Sequence, residues 1–292
     1  MINDRNWPED PQARDDFEWC EGLIKIHSGS FYRAFRHLRP DKAKAVFAIY
    51  AFCRLADDAV DEHNDAIELN EMVNELVEFE QGKTPDKPFW RALKLSFERF
   101  ELDTKPYHEL LQGLELDLQH SRPSDIKQLE RYCYLVAGTV GLMLCPLLAS
   151  DPDDEKTRRI SILLGHAMQL TNILRDVGTD YKIGRIYLPS DLMHKHGVSE
   201  HDLAGGTMSA GLRSLWEELA AKAENYYREV EYNLDLYEKA ARLPVLLSLE
   251  YYRSIIEACR RADYQLLDRR IFVTDRRKLL LYWQTRLRLW RK

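Results

Sequence analysis

Little in this chain can reverse its direction: its 292 residues include only 13 Gly and 11 Pro, too few for a sandwich or barrel that turns every dozen residues. Cysteine is also scarce and odd in number. Cys20, Cys53, Cys133, Cys145 and Cys259 include no closely spaced pair of metal-ligand type, so neither a disulfide framework nor a zinc site is expected and they read as buried thiols in a reducing cytoplasm. Positive charge is not in excess: 42 Lys and Arg face 48 Asp and Glu for a net charge of -6, which argues against a nucleic-acid partner. Residues 1–11 lack the basic start and apolar stretch of a signal peptide, so secretion is not indicated. The longest nearly apolar run, Leu135 to Ala149, is broken by Gly138, Gly141 and Pro146 and falls short of the ~20 residues of a membrane span. It is expected to be a buried core helix, and any membrane association to be peripheral.

What is present is helical period. Segments near 14–36, 41–62, 66–80, 87–101, 106–119, 126–148, 154–180, 212–240 and 243–290, the last with interruptions, follow one another across short breaks. The breaks fall at punctuators such as Arg39-Pro40-Asp41, Gly82 to Pro88, Arg122-Pro123-Ser124 and Ser150 to Asp153, where Ser or Asp can cap the next helix. An all-α fold is expected, as one domain over 1–292 with residues 1–12 flexible. The stretch from Tyr181 to Gly211 carries five glycines, Gly184, Gly197, Gly205, Gly206 and Gly211. It reads either as a binding loop or lid, or as a connector with a short helix near Asp191 to His196.

Two acidic stripes carry the chemistry. Steps of four, three and four residues align Tyr50, Arg54, Asp57 and Asp61 on one side of a helix whose other positions, Val46, Ile49, Phe52, Ala56 and Val60 among them, are apolar. Steps of three, four and four align Gln169, Asn172, Asp176 and Asp180 between Met168, Leu170, Ile173, Leu174 and Val177. Carboxylates one turn apart repel each other, more so when desolvated, and call for compensation. Mg²⁺ takes one or two carboxylates together with water and substrate phosphate, so two such stripes suit a metal-bridged diphosphate. An Asp pair at this spacing is also common on solvated helices, and the pattern alone leaves both readings open.

Further candidates are weaker. His27-Ser-Gly-Ser30 reads as a helix kink or as a set of phosphate donors. Arg54 and Arg175 stand beside the stripes, to hold phosphate or to neutralise Asp57 and Asp176. Tyr252 and the basic residues Arg269, Arg270, Arg276, Arg277 and Lys278 form a solvated face unless the fold brings one of them over the cleft.

These stripes and their surroundings resemble the squalene/phytoene synthase family, the bacterial dehydrosqualene synthases most of all. The likeness runs through His27 to Phe31, Lys44 to Tyr50 with Arg54 and Asp57 to Asp61, Tyr132 to Gly141, and Gln169 through Arg175-Asp176 to Arg185-Ile-Tyr187-Leu-Pro189. It implies an isoprenoid synthase fold around a central apolar cavity with two aspartate-rich motifs at its mouth. By position, Asp57, Asp61, Asn172, Asp176 and Asp180 are then implied to bind two or three Mg²⁺ ions. Diphosphate contacts are implied for Tyr50, Arg54, Gln169, Arg175, Tyr252 and Arg269, joined by His27, Ser28, Gly29 and Ser30. Catalysis is implied to rest on the four aspartates with Arg54 and Tyr252. Gly29 departs from the Lys or Arg of many relatives, which leaves a phosphate contact there unsupported.

The implied reaction is head-to-head (1-1′) condensation of two prenyl diphosphates through a cyclopropylcarbinyl diphosphate. Since water quenches allylic cations, an apolar cavity is expected, lined by Phe31, Phe35, Phe47, Val136 and Gly138, with Ala137 and Leu142 nearby. Phe35 and Phe47 on its floor would shorten it and favour farnesyl chains. The preferred product is dehydrosqualene (4,4′-diapophytoene), without NADPH. The alternatives are phytoene from geranylgeranyl diphosphate, NADPH-dependent squalene formation, a head-to-tail prenyltransferase or terpene cyclase, and a non-catalytic helical assembly factor. A cytoplasmic location is expected, peripheral to the inner membrane face through the lipophilic product.

Overall fold

The periodicity is realised as helices joined by short turns. In chain order they are α1 (Pro11–His27), α2 (Gly29–Phe35), α3 (Pro40–Asp61), α4 (Ala66–Glu80), α5 (Pro88–Phe100), α6 (Lys105–Leu118) and α7 (Ile126–Cys133). A π-helical turn, Tyr134–Gly138, leads into α8 (Thr139–Leu148), followed by α9 (Glu155–Lys182), α10 (Ser190–Lys195), α11 (Glu200–Ala204), α12 (Ala210–Tyr232), α13 (Arg242–Arg261) and α14 (Asp275–Trp290). The computed structural model describes residues 7, 8, 10–61 and 66–290, the Asp61 side chain excepted. Of the expected flexible segment 1–12, residues 1–6 and 9 lie outside the described residues. Among the described residues there is no strand, only an isolated bridge between Ala149 and Tyr237.

Helix starts follow from side chains that satisfy the free amides of a first turn. Asp10 accepts from the Ala13 amide at 3.2 Å just before Pro11 opens α1. Asp154 accepts from Thr157 at 2.8 Å to open α9, and Asp125 accepts from Lys127 and Gln128 to open α7. Both caps lie one residue beyond the breaks expected from the sequence. The expected segment 14–36 is two helices, parted at Ser28, whose amide still bonds back to Ile24 O. Segment 243–290 is likewise two, α13 and α14. The glycine-rich stretch carries α10, near the expected short helix, and α11; Gly184, at φ +80°, takes the left-handed turn beyond α9.

The long helix α9 occupies the centre, packed by α8, α12, α13 and the π turn, while α3 sits among α1, α5 and α6. The buried apolar residues form one contiguous cluster from Phe17 to Leu281. By length and composition the helical stretch Ile126–Leu148 could cross a membrane, but 61% of its apolar window is buried within the protein. All five cysteines are free; four are buried and Cys53 is half-buried.

His166 on α9 is mostly enclosed, and neither ring nitrogen has a hydrogen-bond partner among the described residues. Burial lowers its pKa from 6.5 to about 4. A depressed histidine pKa means that the unfolded chain takes up the proton first, so this stability is present above pH 6.5 and lost as pH falls towards 4. His166→Leu is expected to remove about 2 kcal/mol of the stability difference between pH 7 and pH 5, read from urea unfolding at the two pH values.

Candidate active site

The polar stripe of α3 and the polar stripe of α9 open onto one cavity of about 530 Å³. Tyr50, Arg54 and Asp57 line it from α3, and Gln169, Asn172, Asp176 and Asp180 from α9. The Asp61 side chain lies outside the described residues. His27, Ser28, Gly29 and Ser30 form the rim where α1 gives way to α2, with Arg175 and Tyr252 also in the wall. A Cβ on Gly29 would meet nothing within 4 Å, so a longer side chain at this rim position would have open space.

One expected contact is corrected. Arg269 does not reach the cavity; it is exposed and donates to Gln265 Oε1 at 2.6 Å. Its neighbour Arg270 does: Nη2 donates to Asp176 Oδ2 at 2.9 Å, and Nε lies 2.9 Å from Oδ1. The segment between α13 and α14 has no helical register to fix which of two adjacent arginines points inward, so the sequence could not choose between them. Lys278, one turn into α14, also lines the mouth.

Asp176 and Arg54 in the mouth already have ionic partners. Arg175 Nε donates to Asp176 Oδ1 at 2.8 Å, and Arg54 pairs with Asp58. Asp176 therefore holds two guanidinium groups, which an incoming diphosphate would compete for. Burial raises the phenols of Tyr50 and Tyr252 above their ordinary value, so both stay protonated donors at neutral pH. Burial likewise raises the Cys53 thiol, which leaves it inert.

The donor set suits a hard divalent cation. Asp57, Asp176, Asp180 and Asn172 offer oxygen only, and Asn172 Oδ1 is buried with no hydrogen-bond partner among the described residues. A buried acceptor left unmatched is costly unless a ligand completes it. Among the described residues no three acidic, His or Cys side chains converge as a ready-made cage. The arrangement fits a metal shared with a phosphate ligand, where protein supplies only one or two carboxylates.

Below the mouth the lining turns apolar in a second pocket of about 200 Å³ that shares Phe31, Tyr50, Val136 and Tyr252 with the first. Phe31 stacks on Phe35 at 5.5 Å and meets Tyr252 edge-on at 5.7 Å. Phe35, Val136 and Ala137 are among the residues that line this floor. Phe47, Gly138 and Leu142 do not. Phe47 lies one position round α3 from the lining residue Val46 and packs on Tyr32 at 5.7 Å. A Cβ on Gly138 would point at Ile162 and Tyr134, both at 3.1 Å, because the π turn rotates it towards α9. Leu142 is buried in the core outside the lining.

Sequence reasoning missed a buried carboxylate in the wall. Asp117 accepts from Tyr132 Oη at 3.0 Å and from Tyr187 Oη at 2.7 Å, and the two rings stack at 4.9 Å. An acid on the apolar side of α6 was the available signal. Arg185, also buried, completes this wall.

Comparison with known proteins agrees with this geometry. A family model described as squalene/phytoene synthase matches residues 24–277. The chain is 35% identical over 274 residues to phytoene synthase 2, chloroplastic, of Zea mays, covering 91% of this chain and 68% of that one. It is 34% identical to 4,4′-diapophytoene synthase of Staphylococcus haemolyticus, with 92% and 95% covered. A crystal structure of a dehydrosqualene synthase superposes with a TM-score of 0.92 at 41% identity, covering 96% of this chain and 98% of that one. The chain thus belongs to the squalene/phytoene synthase family, prenyltransferases that condense prenyl diphosphates head to head.

Proposed function

We propose that the protein condenses two farnesyl diphosphates to dehydrosqualene, with Mg²⁺ and without NADPH. The observation that carries the reading is that the cavity lined by two oxygen-rich helix stripes adjoins an apolar, aromatic pocket with which it shares Phe31, Tyr50, Val136 and Tyr252. Similarity to a 4,4′-diapophytoene synthase and to a dehydrosqualene synthase structure supports the C30 product. Equal similarity to a phytoene synthase favours the C20 substrate as the second reading.

In this reading Asp57, Asp61, Asn172, Asp176 and Asp180 would hold the ions, which would supply Lewis-acid charge for the leaving diphosphate. Tyr50, Arg54, Gln169, Arg175, Tyr252 and the His27 to Ser30 rim donate to the phosphate oxygens, with Arg270 in the place expected for Arg269. Donors fixed before the carbon–oxygen bond breaks stabilise the negative charge that develops on the leaving group. The apolar floor keeps water from the allylic cation until the second chain's double bond attacks it.

Purified protein given Mg²⁺ with farnesyl or geranylgeranyl diphosphate is expected to yield C30 dehydrosqualene, unchanged by NADPH, by mass spectrometry of extracted hydrocarbons. C40 phytoene or NADPH-dependent squalene would replace the proposed product. Phe35→Ala should raise the C20-to-C15 preference about tenfold or more, since a few methylenes of pocket length are worth 1–3 kcal/mol each. Phe47→Ala, outside the lining, should leave that ratio unchanged.

A further inference from the structure

The outward face of α14 is apolar where a surface helix is ordinarily polar. At 3.6 residues per turn, Leu279, Leu280, Trp283, Leu287 and Trp290 fall within a sector of about 100°. All five are exposed, Trp283 at 53% and Trp290 at 83%. The opposite face anchors the helix: Leu281 and Thr285 are buried, Tyr282 stacks on His37 at 5.5 Å, and Arg33 Nη1 donates to Asp275 at 2.7 Å. The helix is therefore docked and its apolar stripe is left over.

Two bases share the stripe's side: Arg276 falls within its sector and Arg286 at its edge. Arg277, Lys278 and Arg288 lie on the docked side, where Arg288 pairs with Glu231 and Glu250, and Asp275 is the single acid of α14 in a chain of net charge -6. The helix adjoins the active site, because Lys278 and Phe272 both line the cavity mouth and Phe272 is 71% exposed.

We infer that this face docks the protein on an anionic lipid surface, with the cavity mouth at the headgroup boundary. A basic helix with an exposed Trp and Leu stripe has the signature of an interfacial helix. Trp favours the boundary itself, and Lys and Arg are drawn to negative headgroups. A second copy meeting through the same stripe would bring Arg276 and Arg286 of both copies together with no acid among the stripe residues, which disfavours a symmetric dimer. The mouth's position matters because, on the proposed function, the product is a hydrocarbon with no affinity for water. An apolar rim continuous with lipid gives it a path out.

Flotation of the full chain with vesicles tests the docking without turnover, so its failure would leave the condensation reading standing. Vesicles of phosphatidylcholine with phosphatidylglycerol should carry the protein, binding at least about tenfold more tightly than phosphatidylcholine alone and weakening as salt rises. The triple variant Trp283→Ser, Leu287→Ser, Trp290→Ser should lose at least about tenfold in binding while its helical circular dichroism and its turnover in detergent stay unchanged. Arg276→Glu with Arg286→Glu should abolish the preference for anionic vesicles. Unchanged binding by the triple variant, or no binding to anionic vesicles, would overturn the inference. Self-association in lipid-free solution that disappears in the triple variant would overturn it too, assigning the face to a second copy.

Discussion

Asp176→Asn is expected to lower turnover of prenyl diphosphate by at least about a thousandfold, close to 4 kcal/mol of transition-state stabilisation. Asp176 stands where the two halves of the mouth meet, beside Arg175 and Arg270 and in the same wall as Asp180 and the unmatched Asn172 oxygen. Asn keeps the volume and one oxygen but loses the charge that holds a cation, so a ligand role predicts a loss of turnover far larger than the stability lost with the Arg175 and Arg270 pairs. Were Asp176 only the ion-pair partner of Arg175 and Arg270, the loss would appear as lower stability and would not respond to Mg²⁺. Single-turnover assays across a Mg²⁺ titration, with circular dichroism to verify folding, separate the two outcomes. A loss that high Mg²⁺ restores in part would locate the defect in metal affinity.

Gly165→Ala is the substitution expected to damage stability most for its size. An Ala Cβ there would lie 2.2 Å from Ala137 O and 2.8 Å from Gly138 N. These are backbone atoms of the π turn, which cannot rotate aside. The relation is nearly reciprocal, since a Cβ on Gly141 would lie 2.2 Å from Ser161 O. Helix propensity alone favours Ala over Gly by about 1 kcal/mol, but overlap of this depth forces two central helices apart and should exceed it by more than about 3 kcal/mol. A fall in Tm of roughly 6 °C or more follows for a domain of this size. Gly22 on α1, with nothing within 4 Å of its Cβ position, is the contrasting site: Gly22→Ala should be neutral or stabilising by up to about 1 kcal/mol. Thermal unfolding of both variants checks the opposite signs.

The two stripes were legible because helical period fixes which residues share a face, and a polar line on an otherwise apolar helix needs a reason. The same rule gave the order of the long helices, since Asp and Ser caps and Pro-rich breaks are local signals. What escaped was set by tertiary geometry. The π turn at Tyr134–Gly138 leaves no mark on a 3.6-residue pattern, yet it carries Gly138 out of the cavity and brings Ala137 O against Gly165. Phe47 and Val46 are adjacent and both apolar; only the position of α2 decides that one lines the floor and the other packs on Tyr32. Arg270 could not be told from Arg269 in a non-helical segment. The Asp117, Tyr132 and Tyr187 cluster joins three distant segments, so no local spacing announces it.

The central claim is that this cavity joins two chains through their first carbons. Farnesyl diphosphate labelled with ¹³C at C1, incubated with the protein and Mg²⁺ and followed by carbon NMR of the extracted hydrocarbon, tests it directly. A C30 hydrocarbon with a single enhanced olefinic resonance is expected, because the two labelled carbons are bonded to each other at the centre of a symmetric product and are equivalent. Two inequivalent labelled carbons, as a head-to-tail linkage would give, or the absence of any labelled hydrocarbon, would contradict it.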